Sequence, residues 1–206
     1  MVARQLRGRG IRDERVLAAM ERVPRELFVP EDVRASAYDD SALPIGEGQT
    51  ISQPYIVALI SELLELRGDE RVLDVGTGSG YQAAVLAELA REVVSIERHR
   101  ALAERASRAL AEAGYGGRVE VHVGDGSVGR PERAPYGGVA VAAAAPGVPQ
   151  ALYEQLLDGG RLVVPVGGRG GQRLEAVERT PEGPRVVRSV PCRFVPLVGA
   201  GGFRGP

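Results

Sequence analysis

A chain of 206 residues, 44% apolar and 26% charged, can bury roughly 70% of the surface that its unfolded form exposes, so one core suffices without a covalent or metal staple. The formal net charge of -1, with every basic residue an Arg interleaved with Glu, leaves no electrostatic footprint for nucleic acid or an anionic membrane. Cys192 stands alone, which excludes an intrachain disulfide, and no Cys/His cluster has the spacing of a zinc site, so no metal is expected.

His99 and His122 read as surface and strand residues. Residues 1–10 carry Arg but no apolar core, and no apolar run reaches the length of a membrane span. The expectation is a single domain in the cytoplasm.

From Ile11 onward, Val16, Leu17, Met20 and Val23 recur with helical period, with Asp13 as cap and Pro24 as stop. An irregular segment anchored by Phe28-Val29-Pro30 leads through Tyr38 to Leu43 and Pro44, and glycines on either side of Glu47 predict a hairpin or mobile loop. Ser52-Gln53-Pro54 opens a second helix with an apolar face of Ile56, Leu59, Ile60, Leu63 and Leu64. Val72-Leu73-Asp74-Val75 then reads as a strand, Gly76-Thr77-Gly78-Ser79-Gly80 as a tight turn, and Ala83, Val85, Leu86 and Leu89 as the next helix.

A second strand ends at Glu97, and an Ala/Arg-rich helix from about 100 to 113 closes on Gly114. Val119 to Val123 alternates as a third strand and meets Gly124-Asp125-Gly126. Val139 to Ala143 is a fourth strand, Pro149 starts a helix through Leu152, Leu156 and Leu157, and Arg161 to Pro165 is a fifth strand. Strands alternating with helices predict a doubly wound α/β fold, a Rossmann-like parallel sheet covered on both faces. Beyond Gly167, residues 174–178 and 186–190 alternate about a Pro/Gly turn, as an antiparallel pair at the sheet edge would.

The glycine turn carries the chemistry. Glycine tolerates positive φ and keeps no side chain between the backbone and a ligand. A dinucleotide fingerprint needs its third glycine at position 81, which is Tyr81. D-V-G-x-G-x-G instead resembles the loop of S-adenosylmethionine (SAM) methyltransferases. Glu97, ending the next strand, is placed to accept from both ribose hydroxyls of such a cofactor. Ligands bind at the carboxyl ends of strands in these sheets, so the glycine turn, Glu97 and Asp125-Gly126 share one crevice, with Asp125 beside the adenine. On the residues alone the glycines also suit a plain turn, Glu97 a helix cap, and Asp125 an Asp-Gly turn.

Several segments together resemble the protein-L-isoaspartate O-methyltransferases. They are Leu43-Pro44-Ile45-Gly46, Gly48-Gln49-Thr50-Ile51-Ser52-Gln53-Pro54-Tyr55, Leu73 to Tyr81, Ser95-Ile96-Glu97-Arg98, Gly124-Asp125-Gly126, Ala143-Ala144 with Pro146 and Pro149, and Arg193-Phe194-Val195-Pro196-Leu197-Val198. The resemblance implies methyl transfer from SAM to the α-carboxyl of L-isoaspartyl residues in damaged proteins and peptides, with closure to succinimide beginning repair.

Carried over residue by residue, Ser52 matches the active-site serine. Gly76, Thr77, Gly78, Ser79, Glu97, Asp125 and Gly126 match cofactor contacts, and Ile51, Val195, Pro196, Leu197 and Val198 match the substrate side. The division it implies is 1–66 for N-terminal helices and substrate loop, 67–166 for the SAM core and 167–206 for C-terminal strands and tail. Isoaspartyl proteins are the expected partners of a monomer. On the bare residues Ser52 reads first as an N-cap for the helix containing Pro54, and both roles are compatible.

Two positions depart from the family pattern. Gly137 follows Tyr136 where an acidic residue is usual, and Ala142 stands where Thr is frequent. The first predicts a looser entry to the fourth strand or a weaker polar contact near the cofactor. A small-molecule SAM methyltransferase and a non-catalytic SAM-binding relative stay open as alternatives.

Overall fold

The computed structural model describes residues 1–168 and 170–204; the expected C-terminal division, 167–206, includes 169, 205 and 206, which lie outside them. Residues 2–9 form two short helical turns and bury Leu6 completely. Helix α1 (Glu14–Arg22) follows, its first turn capped by Asp13, whose carboxylate accepts from Arg15 N at 2.8 Å. Two 3-10 turns, Arg25–Phe28 and Glu31–Ser36, carry the chain to β1 (Leu43–Gly46) and β2 (Gln49–Ile51), the hairpin that the glycines around Glu47 predict. Helix α2 (Pro54–Leu63) has its proline in the first turn, where no N–H is needed.

The core then runs β3 (Arg71–Val75), α3 (Tyr81–Leu89), β4 (Glu92–Glu97), α4 (Arg100–Glu112), β5 (Val119–Val123), β6 (Tyr136–Val141), α5 (Gln150–Glu154), β7 (Leu156–Gly168), β8 (Gly171–Thr180) and β9 (Gly183–Cys192). β3 to β9 make one sheet in the order β5-β4-β3-β6-β7-β8-β9. The first five in that order are parallel, and β8 and β9 are antiparallel, as the change of pattern after Gly167 predicts.

Alternation within each strand divides the core. Val72 packs with α1–α4 on one face of the sheet, while its neighbour Leu73 packs with Leu152 of α5 on the other. Each such fully buried aliphatic side chain contributes about 1.5–3 kcal/mol. Helix α3 is buried on nearly all sides, and Gly80 at its start makes that possible. A Cβ there would sit 3.2 Å from Leu110 and 3.3 Å from Ala106, both on α4. No helix among the described residues is long and apolar enough to cross a membrane.

Three sequence expectations are corrected. Leu156 and Leu157 do not continue the helix after Pro149: α5 stops at Glu154, and Leu156 pairs with Tyr136 as the first residue of β7. The fourth strand begins at Tyr136 and ends at Val141, short of Ala143. Gly137 lies away from the carboxyl ends of the strands, where a ligand would bind, and the β6–β7 register shifts between Tyr136 and Gly138. It lies at the amino end of β6, where a Cβ would come within 2.6 Å of Glu70 Cβ, and the Glu70 carboxylate accepts from Arg67 N and Gly68 N at 2.6 and 2.7 Å. Glu70 thus fills the space that a side chain at 137 would need.

Candidate functional site

The order of strands reverses between β3 and β6, and at their carboxyl ends opens a cleft of about 670 Å³, ample for one nucleoside-sized ligand with part of a peptide. Its floor is the glycine turn. Gly76 and Gly78 have φ of 91° and 55°, a region that L side chains rarely enter. Gly76 N and Thr77 N both donate to Ile96 O, at 2.9 and 3.3 Å, which ties the turn to the end of β4.

Glu97 ends β4 in the cleft wall and is 5% exposed. Its Oε2 accepts from Gly78 N and its Oε1 from His99 N, both at 2.9 Å. Each oxygen keeps capacity for one more donor, which suits a pair of vicinal hydroxyls. The loop after β6 brings Ala142 and Ala143 to the opposite side, and Gly126 comes from the loop after β5.

Ser52 lies at the junction of β2 and α2, on the same cleft. It does not cap the helix: the N-cap is Gln53, with no side-chain cap bond. Its carbonyl accepts from Arg25 Nη2 at 2.7 Å. Arg25 is fully buried, donates from Nε to Ala37 O at 2.7 Å, and stacks its guanidinium 4.7 Å from the centre of the Tyr81 ring. Burial pushes its pKa down to about 10, against the nearby Tyr81, so it remains charged at neutral pH. The hairpin is also held by Arg105 of α4, whose Nη2 donates to Ile45 O at 2.6 Å.

Ser52, Gly76, Gly78, Glu97, Gly126, Val195, Pro196, Leu197 and Val198 therefore come together as the sequence predicts. Four expected contacts face elsewhere. Thr77 is buried, with its hydroxyl 2.5 Å from Ser95 Oγ, which in turn donates to Asp74 Oδ2 at 2.7 Å. Ser79 borders a smaller hollow with Phe28, Ile45 and Leu102, and Ile51 is 3% exposed within the core. Asp125 turns its carboxylate to Ser127 and to Ala200 N in the C-terminal tail.

The sequence reading also missed cleft residues from outside the motifs. Arg9 lies 3.8 Å over the Tyr55 ring and pairs with Asp40 at 2.8 Å, so the N-terminal segment forms part of the rim. Cys192 reaches the cleft too, but burial pushes its thiol up to about 11, which keeps it protonated at neutral pH.

The cleft thus gathers a carboxylate, a serine, the glycine turn and the segment 195–198. A family model described as Protein-L-isoaspartate(D-aspartate) O-methyltransferase (PCMT) matches residues 1–202. The chain belongs to this family. The protein-L-isoaspartate O-methyltransferase of Methanoculleus marisnigri is 56% identical over 206 residues, covering all of this chain and 93% of that one. A solved protein-L-isoaspartate O-methyltransferase, 29% identical, covers 98% of this chain and 67% of its own with a TM-score of 0.86. A Plasmodium falciparum chain solved in complex with S-adenosyl-L-homocysteine shares the fold at a TM-score of 0.82, with 23% identity over 96% of each chain.

Proposed function

We infer that this protein transfers a methyl group from S-adenosylmethionine to the α-carboxyl of L-isoaspartyl residues in damaged proteins and peptides, and so begins their repair through a succinimide. The observation that carries the reading is the family match over residues 1–202. The assembly of Ser52, Glu97 and residues 195–198 around one cleft supports it.

The cleft fits the cofactor: Glu97 offers its remaining acceptor capacity to the ribose hydroxyls, and Gly76 and Gly78 let the backbone approach the amino-acid portion. Gly126 borders the base. Bound SAM supplies an electrophilic sulfonium methyl. The substrate carboxyl, with a pKa near 4, is ionised at neutral pH, so the chain does not need a general base. Its task is to align the carboxylate with the methyl and strip water from it. Ser52 donates a hydrogen bond that orients that carboxylate, and Val195, Pro196, Leu197 and Val198 wall the peptide.

The chain works as one catalytic unit, with divisions at 66 and 166, in the cytoplasm as a monomer and without nucleic acid or membrane. The formal net charge of -1 supports the absence of a polyanionic partner. Labelled methyl transfer to two peptides that differ only in L-isoaspartyl against L-aspartyl tests the reaction. Base-labile label on the isoaspartyl peptide alone is expected; label on neither, with SAM bound, overturns it.

A further inference from the structure

The ladder between β8 and β9 ends where the C-terminal wall of the cleft begins. Gln172 of β8 pairs in register with Cys192, the last residue of β9, and its side chain then carries the pairing two residues further. Oε1 accepts from Phe194 N at 2.6 Å, and Nε2 donates to Phe194 O at 3.1 Å. A carboxamide presents an acceptor and a donor side by side, as a peptide edge does, so one side chain engages both backbone groups of Phe194.

The opposite edge of the same segment is held by the loop after β6. Ala144 N donates to Val195 O at 2.8 Å and Leu197 N donates to Ala144 O at 2.7 Å, a parallel bridge of Ala144 with Pro196. In an extended segment the backbone groups of successive residues point to opposite edges. Bonds made toward Ala144 by 195 and 197 therefore turn those of Phe194 the other way, toward Gln172.

The loop is fixed in turn. Ala145 N donates to Pro165 O at 2.8 Å, and Gly167 N donates to Ala145 O at 2.9 Å. Gly167 pairs with Gln172, and a Cβ on Gly167 would overlap Gly171 O, so β7 runs tight against the start of β8. A closed circuit results, from Gln172 through Gly167, Ala145, Ala144 and Pro196 to Phe194, and the Gln172 carboxamide is the link that closes it.

We propose that Gln172 is a positioning residue for the substrate peptide: its two bonds to Phe194 fix the segment 194–198 against the cleft. This rests on the reading that 195–198 border the peptide. Phe194 and Val195 to Val198 line the cleft, whereas Gln172 stands behind them. A residue placed in this way changes how well the peptide binds and leaves alone a cofactor held by Glu97 and the glycine turn.

Arg173, the next residue of β8, supplies the control. Its Nε donates to Ser189 Oγ at 2.7 Å and its Nη2 to Ser189 O at 3.0 Å. It too bonds a β9 residue twice, but in the direction away from the cleft and, by strand alternation, from the other face of the sheet.

The test uses the full chain, Gln172→Met, Gln172→Glu and Arg173→Met. KM and kcat are measured with an isoaspartyl peptide below the melting temperature of each variant, and S-adenosylhomocysteine affinity by calorimetry. Met matches Gln in length without its amide. Gln172→Met is expected to raise KM about tenfold, the effect of one or two lost neutral hydrogen bonds, with kcat and S-adenosylhomocysteine affinity within about twofold. Gln172→Glu keeps an acceptor for Phe194 N but sets a carboxylate against Phe194 O, and should raise KM at least as far. Arg173→Met should keep the wild-type KM.

A folded Gln172→Met chain with wild-type KM overturns the assignment. So does an equal rise in Arg173→Met, which would make general loosening of β9 the cause, and so does a loss of S-adenosylhomocysteine affinity as large as the rise in KM. Should Gln172→Met fail to fold, Gln172→Glu decides by the same readings. A wild-type chain that methylates no isoaspartyl peptide overturns the activity itself, and this assignment falls with it.

Discussion

Arg25 Nη2 donates to the carbonyl of Ser52 at 2.7 Å, and the two residues come from segments separated by the whole irregular stretch and the hairpin. The same guanidinium lies over Tyr81, the first residue after the glycine turn, and its Nη1 has no partner among the described residues. Burying a cation with so few acceptors is costly, several kcal/mol in general, and here it joins the serine to the turn on the cofactor side. Arg25→Leu leaves the carbonyls of Ala37 and Ser52 without their donor. A shift of about 1 Å in an aligning group costs up to about 100-fold, so kcat should fall by about 10- to 100-fold, and Arg25→Lys should recover part of it. Steady-state kinetics well below the melting temperature of each variant checks this. A lower melting temperature with unchanged kcat would make Arg25 a structural strut alone.

Ser52→Ala separates the two roles open to that serine on sequence. Since Gln53 is the N-cap and no side chain caps α2, stability should change by less than about 0.5 kcal/mol, as at an ordinary site. A hydrogen bond to the reacting carboxylate is worth about 1.5–3 kcal/mol, so kcat/KM should fall about 10- to 100-fold with SAM affinity unchanged. Thermal melts, calorimetry and kinetics on one preparation test all three. Full activity in the variant would leave only the backbone of Ser52 in the mechanism.

The residues that sequence made readable are those whose local pattern states their job. Gly76, Gly78 and Gly80 announce a turn, Glu97 ends an apolar run, and the alternation after Gly167 announces an antiparallel edge. Leu156 and Leu157 misled because their spacing from Leu152 and each other also fits a helix, and pairing with Tyr136 across the sheet outweighs that local preference. Arg25 carried no signal at all: in a chain whose every cation is Arg, one buried guanidinium reads as another surface charge. Asp125 matched its motif, but its partner Ala200 lies 75 positions away, and no periodicity records such a contact.

Gly137 yields a prediction opposite to the one its departure from the family suggests. Introducing the usual acidic residue as Gly137→Asp drives a Cβ into the Glu70 side chain, and overpacking of this kind costs about 1–3 kcal/mol. Urea denaturation should show that loss, while SAM affinity and kcat stay at wild-type values because the position is at the amino end of β6. Adding Glu70→Ala should restore part of the stability, since the two changes share one space and do not add. A Gly137→Asp chain as stable as wild type would mean that Glu70 swings aside freely.

Asp74 sets a pH dependence. Its side chain is wholly buried, Oδ2 accepts from Ser95 Oγ at 2.7 Å, and Oδ1 has no partner among the described residues. Burial pushes its pKa from 3.8 up to about 7; the Ser95 bond opposes this, and the charge of Glu97 adds to it. Between those values the native state holds a proton that the unfolded state has released, so this group makes stability fall as pH rises from about 4 to about 7. At about 1.4 kcal/mol per pKa unit, the ionised carboxyl destabilises the fold at pH 8 by up to about 4 kcal/mol. Asp74→Asn carries no charge at any pH and matches the protonated acid in shape. Wild type and variant should therefore have similar unfolding free energies at pH 5, with the variant more stable at pH 8. Urea titrations of both chains from pH 5 to 8 measure the difference. Curves that stay parallel across the range would show that Asp74 takes up no proton on folding, and that Ser95 and the backbone around it solvate the carboxylate well enough to keep it charged beside Glu97.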